Sequence, residues 1–134
     1  MKDMVLAYGA AALVMAGLDL VWLGLTGDAL YRANLSAVMA DRLVNLPAAI
    51  IFYFLYVGGI VYFDVRPALA GGQWQGALAS GFLLGLLCYM TYDLTNLATL
   101  KTWSVKVTVL DIAWGSCLSA AASLGGYLAV RMLR

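Results

Sequence analysis

Three aspartates stand where an apolar chain is least expected to hold charge. Asp19, Asp93 and Asp111 each interrupt a long hydrophobic run, and each has aromatic or polar company at helical spacing. Asp19 is followed by Trp22 and Asp111 by Trp114, at i and i+3, so acid and indole share a helix face in both places. Asp93 sits between Tyr89 and Asn96, one turn to either side, with Tyr92 next to it. The run from Cys88 that carries them ends at Lys101 and also contains Thr91, Thr95 and Thr99. In hydrocarbon each of these groups is costly unless it finds a partner. Carboxylates gathered at one depth cannot all stay charged without a counter-charge. Such a cluster suits proton-linked transport. Aspartate and asparagine oxygens are also typical ligands of magnesium or calcium, so Asp19, Asp93, Asn96 and Asp111 would suit a divalent cation.

Two simpler roles compete with these. A single intramembrane Asp or Asn often only ties helices together, at about 0.6–2 kcal/mol per hydrogen bond. Tryptophans near a membrane surface are ordinary belt residues. Three acids, an asparagine and two tryptophans at one level argue instead for a ligand-binding or proton-coupling site. Its expected members are Asp19, Trp22, Tyr89, Tyr92, Asp93, Asn96, Lys101, Asp111 and Trp114. Other chemistry is excluded by composition. There is no histidine, which removes the usual general base, the usual haem ligand and most zinc sites. A net charge of +1 gives no basic field for nucleic acid. No Ser-His-Asp set, phosphate-binding loop or dinucleotide fingerprint occurs, and no cofactor is firmly implied. Cys88 and Cys117 lie in apolar runs without metal or redox spacing and read as small core residues.

The elements that must position these residues follow from the hydropathy. The chain has 134 residues, 64% hydrophobic and 11% charged, with a mean hydropathy of +0.90. Those values belong to an integral membrane protein of one domain. The pattern predicts an all-α, four-helix transmembrane bundle with spans near 4–25, 46–63, 75–97 and 104–130, each long enough for a hydrocarbon core of about 30 Å. The first is read as a retained helix and not a cleaved signal peptide, since further spans follow. Between the first two, Asp28 after Thr26-Gly27 reads as a helix cap. Leu30, Tyr31, Leu35, Val38, Met39 and Leu43 then make an apolar stripe. This predicts an amphipathic interfacial helix over 28–43, with a soluble loop helix as the alternative. Pro47 suits a helix first turn, and Asp64 to Pro67 with Gly71-Gly72 reads as a connector.

Four antiparallel spans bring the end of the first, the start of the second, the end of the third and the start of the fourth to one side. Asp19, Asn45, Asp93, Asn96 and Asp111 therefore converge, the aspartates about 10 Å deep at 1.5 Å per residue. The small residues, including the pair Gly81 and Gly85, favour tight packing in the opposite half. Lys2, Arg66, Arg131 and Arg134 fall on the terminal side, and Arg32, Arg42, Lys101 and Lys106 on the other. This even split gives the positive-inside rule nothing to act on. The preferred reading buries Lys101 and Lys106 partly in the bundle and leaves the termini cytoplasmic; the alternative is dual insertion with antiparallel homodimers.

The run Tyr92-Asp93-Leu94-Thr95-Asn96-Leu97-Ala98-Thr99-Leu100-Lys101, followed by Asp111-Ile112-Ala113-Trp114-Gly115, resembles the hallmark of a family of small bacterial membrane proteins, domain of unknown function 2177. Asp19-x-x-Trp22-Leu23, Tyr31-Arg32, Ala48-Ala49-x-x-Phe52-Tyr53 and Arg66-Pro67-Ala68-Leu69 fit the same pattern. After the lysine, Thr102 stands where the family pattern has glycine. The resemblance covers nearly the whole chain and implies a four-helix, multi-pass protein of the bacterial inner membrane, with no activity attached. Beyond its lipid bilayer, the polar and aromatic cluster leads to a small carrier or binding protein for an amphipathic or lipid-like ligand, with proton coupling as an option. Alternatives are a metal-dependent enzyme acting on lipid headgroups and a helper subunit of a larger membrane complex.

Overall fold

The computed structural model describes all residues from Met1 to Arg134 and contains helices and turns but no strand. Four helices, α1 (Lys2–Leu35), α2 (Leu46–Gly71), α3 (Trp74–Thr99) and α4 (Val105–Leu133), are each long and apolar enough to cross a membrane. Their starts follow local rules. Asn45 caps α2, its side-chain oxygen accepting the Ala48 N–H at 3.1 Å, with Pro47 in the first turn, where a missing N–H does no harm. Ser104 caps α4 in the same way, accepting the Val107 N–H at 3.2 Å.

The bundle is built around α4, which packs against α1 on one side and α3 on the other. Small residues make the close approach to α3 possible. A Cβ on Gly81 would lie 2.7 Å from the Ser123 Cβ, and one on Gly85 only 2.4 Å from the Gly115 carbonyl oxygen. The Gly-x-x-x-Gly pair is thus used inside the protein. The main apolar core occupies the half of the bundle that holds the termini: Ala7, Ala11 and Met15 of α1, Val57, Ile60 and Val65 of α2, and Leu118, Ala122 and Val130 of α4. By contrast the N-terminal half of α2 is loosely packed: no residue from Ser36 to Tyr56 is buried, and Tyr53 and Tyr56 are only partly buried against the core. That imbalance leaves a cleft between α2 and α3 in the half that holds the aspartates.

Residues 28–43 do not form a separate interfacial helix. Gly27 is itself helical, with φ −51° and ψ −51°. From there α1 continues through a π turn, Gly27–Arg32, to Leu35, and turns and coil follow up to Asn45. Glycine permits a break without requiring one, and here continuing the helix buries Leu30 and Leu35 against Val107, under Trp22, Tyr31 and Trp103. Val38, Met39 and Leu43, the rest of the expected stripe, are exposed. Asp28 makes no cap; it pairs with Arg32 at 3.1 Å, one turn on.

The second span likewise runs beyond residue 63, where a connector had been expected. Pro67 inside a helix would clash with the carbonyl four residues back. The wider register of the π turn Val61–Val65, in which the Arg66 N–H reaches the Val61 carbonyl, accommodates it. The helix then continues to Gly71 and ends at Gly72, whose φ of 68° is the left-handed cap that glycine favours. This π turn buries Asp64, which is only 2% exposed. Lys101 and Lys106 are exposed. The burial behind the preferred orientation is therefore absent, and the basic residues remain evenly split between the two sides.

Candidate functional site

The structure gives each of the three aspartates a different environment. Asp19 on α1 is saturated by donors from two other helices. The Tyr53 hydroxyl of α2 donates to one carboxylate oxygen, and the Trp114 indole N–H of α4 donates to the other at 3.3 Å. Trp114 lies flat on Trp22, with ring centroids 4.5 Å apart and planes 5° from parallel. The Trp22 indole N–H donates to the Tyr31 hydroxyl at 2.9 Å, and Tyr31 donates to Asp111. Acids on α1 and α4 are thereby joined through one continuous set of contacts, Tyr53 to Asp19 to Trp114, across the stack to Trp22, then Tyr31 and Asp111. Hydrogen bonds of this kind are worth about 0.6–2 kcal/mol each in a membrane.

Asp93 on α3 is the exception. It is 0% exposed and lies beside Asp111, with Trp103 as the other close polar neighbour. Neither of its carboxylate oxygens has a hydrogen-bond partner. The Trp103 indole N–H is directed instead to the Thr108 hydroxyl, at 3.2 Å. No basic residue balances the cluster, since the two ion pairs in the molecule are Asp28–Arg32 and Asp3–Arg134. A buried carboxylate without donors is costly, so its retention needs an explanation beyond helix packing.

Next to these acids lies a cleft of about 430 Å³ between α2 and α3, lined by Phe52, Tyr56, Cys88, Tyr89 and Tyr92 and, from α4, by Asp111. It opens on the flank of the bundle, where Phe52 is 47% and Tyr92 58% exposed. Its walls are held in place. The Tyr56 and Ser119 hydroxyls are 2.7 Å apart, Tyr56 meets Tyr89 edge-on at 6.4 Å, and Tyr92 meets Trp103 at 5.8 Å. Tyr89 sits directly over Gly115, where a Cβ would come within 2.1 Å of the ring. A larger groove of about 500 Å³, between Met1, Met4, Val5 and Tyr8 of the first helix and Gly58 and Tyr62 of the second, contains no member of the acidic cluster.

Of the expected site residues, Asp19, Trp22, Asp111 and Trp114 share the network, Asp93 adjoins it, and Tyr89 and Tyr92 line the cleft. Asn96 is half-buried next to Tyr92. Lys101 does not belong to the site: it is exposed, beyond the end of α3. The threonines of that helix also turn away, each hydroxyl donating to a carbonyl one turn back, as Thr91 does to Leu87 at 2.6 Å. Asp19, Asp93 and Asp111 do not come together as a metal-binding group, since no three His, Cys, Asp or Glu side chains are placed to hold an ion. The tryptophan stack stands between Asp19 and the other two acids.

Sequence reasoning missed Tyr31, Tyr53 and Tyr56 as site residues. The signal for Tyr53 and Tyr56 was their place in the same half of α2 as the acids of its neighbours. Tyr31 carried none, because the π turn decides where it points. No curated protein and no solved structure matches the chain. The family described as a predicted membrane protein, domain of unknown function 2177, matches residues 4–128, and this four-helix membrane chain belongs to it.

Proposed function

We propose that this multi-pass membrane protein acts in the bacterial inner membrane by binding or carrying an amphipathic, lipid-like ligand in the cleft between α2 and α3. The observation that carries the reading is the cleft itself: an aromatic groove, open on the flank of the bundle, with the Asp111 carboxylate in its lining. Its volume of about 430 Å³ is within the range of about 300–1,000 Å³ common for small-molecule sites. The aromatic lining suits a hydrocarbon chain, and the carboxylate suits a polar headgroup. An enzyme working through metal-bound aspartates draws less support, since Asp19 is already saturated by Tyr53 and Trp114. A helper subunit docking through Gly81 and Gly85 draws less as well, because those glycines face α4.

The two cysteines provide the test. Cys88 lines the cleft and Cys117 does not, although both are exposed. In maltoside micelles, single-chain dodecyl amphiphiles with cationic, zwitterionic, anionic and neutral headgroups are added while N-ethylmaleimide alkylation of each cysteine is followed by mass spectrometry. At least one amphiphile is expected to slow modification of Cys88 while leaving Cys117 unchanged. Equal rates at Cys88 with every member of the series would end the proposal.

A further inference from the structure

We infer that the headgroup this cleft selects is an ammonium cation on a single hydrocarbon chain, carrying no phosphate or other anionic group. This rests on the amphiphile reading above and narrows it to one chemical class. The first argument is charge. Asp111 lines the cleft and buried Asp93 lies beside it, yet between them these carboxylates receive one hydrogen bond, from Tyr31. Asp19, of the same residue type and in the same half of the bundle, has donors on both oxygens. In the half of the bundle that holds the cleft, the carboxylates short of donors are therefore Asp111, which lines it, and Asp93 beside it.

The second argument is the absence of any protein cation to meet that charge. No lysine or arginine lines the cleft, Arg32 is engaged with Asp28, and Lys101 and Lys106 are exposed. The third is the lining. Phe52, Tyr56, Tyr89 and Tyr92 put four aromatic rings in the same lining as one acid. Ring faces attract ammonium groups, most strongly where water is excluded. A divalent cation draws less support, because no group of three acidic, histidine or cysteine side chains able to hold a metal ion is present, and the Tyr56 hydroxyl already bonds Ser119. A zwitterionic phospholipid would bring its phosphate among carboxylates with no basic group to receive it. An ammonium amphiphile satisfies each constraint at once.

The experiment compares dodecyltrimethylammonium, dodecylphosphocholine, laurate and 1-dodecanol on the full-length protein, reading protection of Cys88 relative to Cys117. The trimethylammonium compound is expected to protect at a concentration at least about tenfold below that of the other three, the combined effect of charge and aromatic contact. Asp111→Asn, which keeps an acceptor for Tyr31, is expected to bring the four within about twofold of one another. The wild-type series stands without the variant, so a variant that fails to fold does not remove the test. If the phosphocholine or the alcohol protects as well as the cation, the inference is overturned while the cleft reading survives. If no compound protects Cys88, both fall.

Discussion

Replacing Gly115 by alanine tests whether Tyr89 is fixed in the way the site requires. A Cβ there would lie 2.1, 2.2 and 2.4 Å from three atoms of the Tyr89 ring, whereas carbon atoms pack best at about 3.5–4.0 Å. The atom met most closely is Cγ, at the base of the ring, so rotating the ring about its own axis does not clear the clash. Either α3 and α4 move apart or Tyr89 adopts a new rotamer and swings into the cleft. Overpacking of this kind costs about 1–3 kcal/mol, against which alanine returns up to about 1 kcal/mol of helix propensity. Gly17→Ala provides the reference, because nothing lies within 4 Å of its added Cβ. Propensity cancels between the two variants, and their difference, about 1–3 kcal/mol, reports the clash alone. Equilibrium unfolding in mixed maltoside and dodecyl sulfate micelles, followed by circular dichroism, measures it. In a Tyr89→Leu background the difference should shrink, as contacting pairs do in a double-mutant cycle. Should Gly115→Ala prove as stable as Gly17→Ala, the packing of Tyr89 on α4 described above is wrong.

Further predictions concern the network and the cap above it. Tyr53→Phe deletes a donor to Asp19 and should lower unfolding free energy by about 0.6–2 kcal/mol; an unchanged midpoint in the same titration would contradict the contact. The parallel indoles of Trp22 and Trp114, 4.5 Å apart, should give an exciton couplet in circular dichroism. Trp22→Phe should abolish it, and Trp74→Phe, at an exposed position, should leave it intact. Leu30→Ala removes a side chain that is 5% exposed over Val107 and should cost at least about 2 kcal/mol. Val38→Ala, at an exposed position, should cost less than about 0.5 kcal/mol, and equal effects would restore an interfacial helix with one continuous stripe.

The buried Asp64 gives the opposite half of the molecule its own polar feature. One of its carboxylate oxygens has no partner, and it borders a shallow depression of about 270 Å³ together with Ser80 and Gln73. Asp64 is carried inward by the π turn that accommodates Pro67, so its burial is a consequence of how α2 passes a proline.

The four spans, and the placing of Asp19, Asp93 and Asp111 on one side of the bundle, were decided by the amino-acid sequence itself. A bilayer allows few solutions: every backbone polar group must be satisfied within a helix, and about 20 apolar residues are needed to cross. Once four such runs exist with short connections, alternation of direction alone brings those three positions to one side. The caps at Asn45 and Ser104 were equally local, since each side chain bonds its own backbone three residues on. Only the tertiary structure decided which acid is left without donors. That depends on whether Tyr31 and Tyr53 reach their targets. The extra residue of the π turn at Gly27–Arg32 rotates the side chains beyond it by about 100°, and no periodicity in the sequence records it. The cleft has the same origin. It exists because α2 leans, its N-terminal half being less buried than its C-terminal half, with Phe52 and Tyr56 lining the gap beside α3. Such a lean is the outcome of competing packing surfaces, which a hydropathy pattern equally apolar along its whole length does not contain.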